Sequence, residues 1–524
     1  MKRYNISWML VLLITVLSSC KDYLDINTNP NQATSVQPLL VLPAAITGTA
    51  SVSNQFNSYG LHLGGYMANA GGFSGFGNLF NYQIIPADYN ALWVNTYDNL
   101  NDYKYVIDQT EGDDTQAYAN AVANIMVAYN FQKLVDAFGD VPYTEALQNN
   151  ANLTPKYDDA ATIYQDLVTR LDAAIALTDA AEFPTALTSS SDPMFAGDMT
   201  KWKRFANTIK LRILVRISGV ASLSSFVTTK FAALDKTLGF ITDDAIVNPG
   251  YVKDKPNPVW NSWGYTTTGT LANSSRIPTE FAFGFYKGQK LTDTGRGNVI
   301  YKNFETNTPV NQLGNEVDAP TIITNYSTWY TGTFSSASSI GNALGVLKGA
   351  GQGQVLMLLA EAQFLQAEAR LKGFITGDYA ASFDAGIAAS FTYLYKDVTN
   401  VVAAGKNVTK DVAGYKAENA ASYLVNIKLA TTAAQRLEAI ITQKWIAVNM
   451  INSEEGYNEF RRTGYPVTQP NGDGFQNIAS LLSTSTRADK LPSRILYPTS
   501  EQSYNAGNYR VINPFTDLIF WDPN

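Results

Sequence analysis

Side chains that usually act as nucleophiles or metal ligands are scarce in this chain of 524 residues. It contains one cysteine, Cys20, and one histidine, His62. A single thiol excludes internal disulfides and metal sites built from several cysteines. Any Ser-His-Asp triad would need His62, and no G-x-S-x-G segment offers a serine nucleophile. We therefore expect His62 to be a packed or surface residue, and we expect neither a metal nor a cofactor.

The segment around Cys20 has the features of a bacterial secretion signal. Lys2 and Arg3 precede an apolar run, and Leu17-Ser18-Ser19-Cys20 follows it. The run is shorter than the roughly 20 apolar residues that cross a membrane. Leu-Ser-Ser-Cys resembles a lipobox, in which the cysteine sulfur receives a diacylglycerol and anchors the protein through acyl chains. The segment predicts a signal peptide over residues 1–19 and lipidation of Cys20. The alternative is an ordinary signal peptide with a chance cysteine.

Charge and composition favour some ligand classes over others. The formal net charge is −7, and removal of residues 1–19, with two positive and no negative charges, leaves −9 over 505 residues. Nucleic acids are bound by basic surfaces, so the acidic chain argues against a nucleic-acid partner. Charged residues make up 16% of the chain and aromatic residues 12%. This composition favours neutral ligands over ionic ones.

Three clusters of aromatic residues lie in segments rich in glycine and polar residues. Sugar rings pack their apolar faces on aromatic side chains, and their hydroxyl groups hydrogen-bond to polar neighbours. The clusters therefore predict a saccharide site, although each could instead be a hydrophobic plug beneath a long loop. The candidate ligand-binding residues are Trp260, Trp263 and Tyr265 in the first cluster, Trp329 and Tyr330 in the second, and Tyr66, Asn69, Phe73 and Phe76 in the third, with Arg276 as a secondary candidate.

The first of these clusters yields the sharpest expectation. Trp260 and Trp263 lie between Pro258 and Gly264, in a segment without an extended helical period. Such a segment offers no regular apolar face to bury its aromatic rings. We therefore expect both rings at a ligand-binding surface rather than in the core.

The elements that would position these clusters are mostly helical. Between residues 200 and 218, for example, apolar side chains recur every three or four positions, which is typical of one buried helix face. Helix–turn–helix units that bury a face only against their neighbours indicate tetratricopeptide-like repeats. Four such pairs are predicted, at 87–109 with 115–137, 158–178 with 200–218, 354–372 with 378–395, and 431–450 with 454–461.

Segments without helical periods separate these pairs and suggest a domain organisation. A long segment without regular structure inside a domain usually carries function. The predicted organisation is a signal peptide at 1–19, an extended lipid-anchored leader at 20–50, helical repeats 1–2 at 51–240, a loop-rich ligand lobe at 241–352, helical repeats 3–4 at 353–465, and a loop-rich C-terminal segment at 466–524.

Six motifs, in order along the chain, carry a family resemblance. They are Cys20–Asp25, Asp136–Tyr143, Asp198–Thr208, Ala360–Ala369, Glu455–Pro466 and Leu491–Pro498. With these motifs the chain resembles the SusD/RagB family of outer-membrane lipoproteins of Bacteroidota. It departs modestly from the pattern, because Tyr457 and Phe460 stand where relatives often have tryptophan.

The resemblance implies an all-α fold in which four tetratricopeptide-like helix pairs support a loop-rich ligand-binding lobe. It also implies a lipid-anchored protein on the cell surface that binds a glycan and passes it to a TonB-dependent, SusC-like transporter barrel. Such a protein needs no catalytic group. Within the motifs, Pro142, Gly464 and Pro466 are expected to end helices. The charged side chains of Glu368, Arg461 and Arg462 are expected to pair with one another between helices.

Two other functions remain open on the sequence. A branch of the same family serves peptide importers, and a peptide ligand would favour backbone hydrogen-bond donors with shallow apolar pockets. A surface glycosidase would need two carboxylates about 5–10 Å apart. No pair of acidic residues is singled out for that role by its setting in the sequence.

Overall fold

A computed structural model of the chain describes residues 36–71, 76–306, 310–315, 327–334 and 343–523. Cys20, the predicted signal peptide and Phe73 lie outside these residues. The described part is mostly helical. Its α-helices are α1 (Pro38–Leu63), α2 (Asn90–Thr110), α3 (Ala117–Phe138), α4 (Ala160–Ala180), α5 (Met199–Ile217), α6 (Ser224–Ala232), α7 (Pro258–Trp263), α8 (Glu280–Phe283), α9 (Thr294–Ile300), α10 (Leu359–Leu371), α11 (Tyr379–Tyr395), α12 (Val408–Glu418), α13 (Ala433–Val448), α14 (Ser453–Thr463) and α15 (Thr499–Tyr504).

The four predicted helix pairs are present. They are α2 with α3, α4 with α5, α10 with α11, and α13 with α14, and the two helices of each pair pack against each other. Neighbouring pairs also pack together, since α3 contacts α4 and α10 contacts both α5 and α13. The all-α, tetratricopeptide-like fold predicted from the sequence is therefore confirmed.

Local sequence explains why these helices begin and end where they do. The Asp159 and Asp198 side chains accept hydrogen bonds from backbone N–H groups in the first turns of α4 and α5. Thr432 and Gln435 form a capping box at the start of α13. Gly464 ends α14 with φ +75°, a left-handed conformation that glycine adopts without steric cost. The expectation that Gly464 terminates a helix is confirmed.

Helix α1 corrects the prediction of an extended leader over residues 20–50. From Pro38 onwards that segment is helical, and its Leu42, Ala45 and Ile46 side chains are buried. Proline normally breaks helices, but Pro38 occupies the first turn, where a missing N–H leaves no hydrogen bond unmade. Helix α1 packs on α2, α3 and α14. It therefore belongs to the core of the fold.

A glycine allows α1 to approach α14 closely. A Cβ atom at Gly60 would lie 1.9 Å from the backbone nitrogen of Glu454, a separation that no real side chain could keep. The N-terminus of α14 can therefore rest directly on the backbone of α1. This contact places one face of α1 against the core and leaves another free to line a cavity.

Two short antiparallel sheets connect distant parts of the chain. Strand β1 (Met67–Asn69) pairs with β3 (Arg276–Pro278), and β2 (Ala245–Val247) pairs with β4 (Gln354–Met357). In the first sheet Asn69 lies opposite Arg276. This pairing brings the segment after α1 next to the segment after α7, although about 200 residues separate them in sequence.

Charged side chains join the helix pairs inside the core. Arg216 of α5 donates hydrogen bonds to the carboxylates of Asp136 on α3 and Glu455 on α14. Arg462 donates to both carboxylate oxygens of Glu368 at 2.7 Å, as predicted. The prediction for Arg461 is corrected, because this residue donates to the carbonyl oxygens of Ser493 and Asp136 at 2.5 and 2.8 Å.

Each helix of the described residues is too short or too polar to cross a membrane.

Candidate ligand-binding site

A cavity of about 430 Å³ opens between α1, the start of α2 and the two segments that the β1–β3 sheet brings together. This volume lies in the range of small-molecule sites, about 300–1,000 Å³. Apolar and polar side chains share its walls, and the lining includes no aspartate or glutamate among the described residues. The lining residues are Asn54, Gln55, Ser58, Tyr59, His62, Met67, Phe76, Leu79, Tyr89, Ala91, Leu92, Ser262, Trp263, Ser275 and Arg276.

One face of α1 supplies the polar wall of the cavity. Residues 54, 55, 58, 59 and 62 recur at the spacing that places side chains on a single helix face. The Asn54 amide donates to the carbonyl oxygen of Pro258 at 3.2 Å and to the Ser262 hydroxyl at 3.0 Å. These bonds hold α7 on α1 and so position Trp263 at the cavity.

The aromatic wall is formed by Trp263 and Phe76. Trp263 is 5% exposed, and the Trp329 ring packs edge-on behind it with centroids 5.1 Å apart. Phe76 stacks on Phe80 at 4.9 Å. Because both rings are held by other aromatic rings, they form a rigid apolar surface rather than mobile side chains. Only a small part of each ring remains uncovered.

Arg276 provides a cation at the mouth of the cavity. Its guanidinium carbon lies 5.8 Å from the Trp263 ring, and the side chain forms no ion pair with a carboxylate of the described residues. The residue is exposed as a whole, yet partial shielding of the guanidinium from solvent lowers the pKa of Arg276. Its N–H donors are therefore available to a ligand.

His62 is a neutral structural residue of the cavity wall. Its Nε2 lies 3.0 Å from the carbonyl oxygen of Leu79, and its Nδ1 lies 2.5 Å from the Tyr89 hydroxyl. A carbonyl oxygen only accepts, so Nε2 carries the proton and the Tyr89 hydroxyl donates to Nδ1. Burial, with a smaller contribution from the charge of Arg276, lowers the pKa of His62 to about 4, although the hydrogen bond to the Leu79 carbonyl opposes the shift. The sequence predicted either a packed or a surface histidine, and His62 is packed.

This environment predicts an acid-dependent loss of stability. The unfolded chain binds a proton at His62 below the ordinary pKa of about 6.5, whereas the folded chain does so only near 4. The contribution to the free energy of unfolding is therefore constant above pH ~6.5 and falls by about 3 kcal/mol as the pH drops to ~4. His62→Gln keeps a donor and an acceptor but does not titrate.

Denaturant titration of both proteins across this pH range measures the effect. Carboxylates titrate in wild type and variant alike, so the difference between the two curves isolates His62. We expect the wild type to lose about 3 kcal/mol relative to His62→Gln between pH ~7 and ~4. Parallel stability curves would show that the histidine is not buried as described.

The cavity unites three residues predicted from the sequence, Trp263, Phe76 and Arg276. The others lie elsewhere. Tyr265 and Tyr330 are half-buried, and the Tyr265 hydroxyl donates to the Gly332 carbonyl oxygen at 3.2 Å. Neither lines the cavity. A role for these two residues in ligand binding stays a prediction.

The expected exposure of Trp260 is wrong, and Trp263 is also largely covered. Trp260 is 0% exposed. The segment forms the short helix α7, because Pro258 stands in its first turn and the Asn257 side chain caps the N–H groups of Val259 and Trp260. Because Trp260 and Trp263 are three residues apart, both rings lie on one side of this helix. The helix packs on α1.

Tyr66, Asn69 and Trp329 are likewise buried, so they form no exposed platform. Tyr66 is 0% exposed, stacks on Trp445 at 4.1 Å and donates to its carbonyl oxygen at 2.9 Å. Asn69 donates from β1 to the carbonyl oxygen of Asn315 at 2.9 Å. Tyr66 is thus a core residue, and Trp329 supports Trp263 from behind.

Most of the polar lining was missed by sequence analysis. Asn54, Gln55, Ser58, Tyr59 and His62 follow a helical spacing that was present in the sequence. That spacing was not used, because the first predicted helix pair begins at residue 87 and no helix was predicted over these positions. A helical period recognised over residues 54–62 would have placed these side chains on one face.

Comparison with known proteins identifies the family. The SusD-like family model described as "Starch-binding associating with outer membrane" matches residues 30–498. The chain belongs to this SusD-like family. No curated protein matches its sequence. The predicted SusD/RagB resemblance is therefore confirmed, and the family's description associates its members with the outer membrane.

Solved structures share the fold. A chitin-binding protein is 23% identical, with 93% of this chain and 100% of that chain covered and a TM-score of 0.68. A chitin-binding SusD homologue from Flavobacterium johnsoniae is 22% identical, with 92% and 99% covered and a TM-score of 0.68. A SusD/RagB family protein from Bacteroides thetaiotaomicron is 19% identical, with 93% and 99% covered and a TM-score of 0.69.

Proposed function

We propose that this SusD-like protein is a surface lipoprotein that binds an oligosaccharide in the cavity beside α1 and delivers it to a TonB-dependent transporter. One observation carries the proposal. The cavity places the Phe76 and Trp263 rings next to buried polar atoms, Asn54 Oδ1 and Tyr59 Oη, that have no hydrogen-bond partner among the described residues. Sugars present both an apolar face and hydroxyl groups, and so match this mixture.

Unsatisfied buried polar atoms favour a polar ligand on energetic grounds. A buried donor or acceptor without a partner costs about 1–3 kcal/mol, which a ligand hydroxyl group could recover. Arg276 adds charged donors at the mouth, where they can reach hydroxyl or amide oxygens of a bound chain. The chitin-binding activity of two similar structures also supports a saccharide ligand.

The chemistry of the lining argues against hydrolysis at this cavity. Glycosidases need two carboxylates, and the described lining contains none. The proposed role is therefore capture rather than turnover. A peptide ligand would match a wall of backbone donors, whereas the polar wall of this cavity is formed by side chains on α1.

Calorimetric titration with chitooligosaccharides and maltooligosaccharides tests saccharide binding. Arg276→Gln should weaken binding by about 1.5–3 kcal/mol, or about 10- to 100-fold, because it removes charged donors at the cavity mouth. Arg510→Gln is the matched control, since Arg510 pairs with Asp140 and does not line the cavity. Equal affinity in Arg276→Gln and Arg510→Gln would place the ligand elsewhere. Binding of peptides but of no oligosaccharide would overturn the proposal.

Cys20→Ala tests the lipid anchor. A cysteine is needed to accept the diacylglycerol, so the variant should leave the membrane fraction or remain unprocessed, while the wild type partitions into detergent. In mild detergent the wild type should also co-purify with a large outer-membrane barrel of the TonB-dependent type. Membrane attachment of Cys20→Ala equal to that of the wild type would show that the anchor lies elsewhere.

A further inference from the structure

A second cavity, of about 340 Å³, lies on a different part of the molecule. It is bounded by the start of α5, strand β2, residues 348–353 and the end of α11 with the loop that follows. It shares no lining residue with the cavity beside α1. Its walls carry charges of both signs, unlike the largely neutral walls of the first cavity.

The carboxylates at this second cavity are already engaged within the protein. Asp243 and Asp244 each lie 3.0 Å from the ammonium group of Lys396. The Asp397 carboxylate accepts hydrogen bonds from the backbone and hydroxyl of Thr399 and from the Val401 backbone. All three acidic groups therefore have partners that stabilise their negative charge.

The cations that line the cavity lack such partners. Lys348 is 4% exposed, and its ammonium group donates to the carbonyl oxygens of Tyr393 and Lys396 at 2.8 and 2.6 Å. It forms no ion pair with any carboxylate of the described residues. Lys201 forms none either, and Arg204 uses its Nε to donate to the Leu238 carbonyl oxygen at 3.0 Å. Three cations thus line the cavity without an ion-pair partner among the described residues.

A buried cation without a carboxylate partner is costly to maintain. Carbonyl oxygens and the Tyr393 ring, 4.5 Å from the Lys348 ammonium group, compensate only part of the lost hydration. An anion in the cavity would supply the missing charge to Lys348, Lys201 and Arg204 together. The volume is at the lower end of the range for small-molecule sites, which limits the size of the anion.

We propose that this second cavity binds a small organic anion, a carboxylate or sulfate group on a carrier of roughly one or two sugar rings. Lys348 supplies the buried positive charge, and Lys201 and Arg204 supply charge at the opening. Because the two cavities are separate, the protein can hold an anionic ligand here independently of the neutral oligosaccharide proposed beside α1.

Proton linkage provides a signature of this site. Burial, with a smaller contribution from the charge of Lys396, lowers the pKa of Lys348 to about 7, although the charges of Asp244 and Asp397 oppose the shift. Asp243, Lys201 and Arg204 face the same cavity. An anion prefers the protonated ammonium, so binding takes up a proton once the pH exceeds ~7. Affinity should therefore fall as the pH rises through that value.

Calorimetric titration of the full-length protein in detergent tests the site with three probes. D-glucuronate carries a carboxylate, glucose 6-sulfate carries a sulfate, and glucose carries neither. We expect saturable binding of one or both anions at about millimolar concentration and none of glucose. The affinity should drop about tenfold or more between pH ~6 and ~8.5, and Lys348→Met should abolish this dependence.

A surface variant keeps the test independent of the buried lysine. Lys201→Gln combined with Arg204→Gln should weaken anion binding about tenfold, whereas Lys203→Gln, on the same helix but paired with Asp179, should leave it unchanged. Preference for glucuronate or for glucose 6-sulfate identifies the anionic group. Binding that survives the double variant, binding of glucose equal to that of the anions, or no saturable binding would overturn the proposal.

Discussion

Replacing Arg216 by methionine should lower the free energy of unfolding by about 3–5 kcal/mol. Arg216 is buried and bridges the carboxylates of Asp136 and Glu455, which come from two other helices. Methionine preserves much of the side-chain volume but leaves both carboxylates without this counter-charge. Burial tends to raise the pKa of Glu455, but the charges of Arg216 and Arg212 outweigh it and lower the pKa below its usual range.

Chemical denaturation of wild type and variant measures this loss. Lys203→Met is the matched control, because it removes a cation from the same helix whose partner, Asp179, is exposed. Such surface pairs contribute about 0–1 kcal/mol. A loss for Arg216→Met no greater than that for Lys203→Met would contradict the buried network. The network links α3, α5 and α14, so its disruption should also reduce the cooperativity of unfolding.

Replacing Trp260 by alanine should cost about 3–5 kcal/mol of folding free energy. The ring is fully buried on α7, and a Cβ atom at Gly264 would lie 2.4 Å from it, which shows how tightly the turn packs on the indole. Removing the indole would leave a cavity beside α7 and the turn at Gly264. The residue does not line the ligand cavity, so the loss should come mainly from packing.

Thermal and chemical denaturation of Trp260→Ala check this expectation. Leu271→Ala is a suitable control, since Leu271 is an apolar residue of the same region with 43% exposure. Exposed substitutions of this kind usually change stability by less than about 0.5 kcal/mol. Unchanged stability of Trp260→Ala would restore the exposed ligand platform that the sequence predicted.

The helices of the four pairs could be predicted because their signals are local. Asp198, for example, caps α5 through the N–H of Lys201, and apolar residues then recur with the helical period. Helix α1 (Pro38–Leu63) was missed because residues 20–50 were interpreted as an extended leader and the first predicted helix began at residue 87. Local sequence does not show that this segment packs on α14 through Gly60.

The ligand cavity could be predicted only in part. Trp263, Phe76 and Arg276 were selected for their residue types, yet nothing local indicated that they meet. Their proximity depends on the β1–β3 pairing, which joins segments about 200 residues apart. Burial of Trp260 was missed because α7 is only six residues long, too short for its period to stand out.

A crystal structure with the oligosaccharide that binds most tightly in titration tests the central claim most directly. The account predicts a sugar ring against Phe76 and Trp263, with hydroxyl or amide oxygens bonded to Arg276 and to the polar face of α1. These contacts would leave the Trp260 and Tyr66 rings untouched. A saccharide bound outside this cavity, with Phe76, Trp263 and Arg276 making no contact to it, would contradict the account.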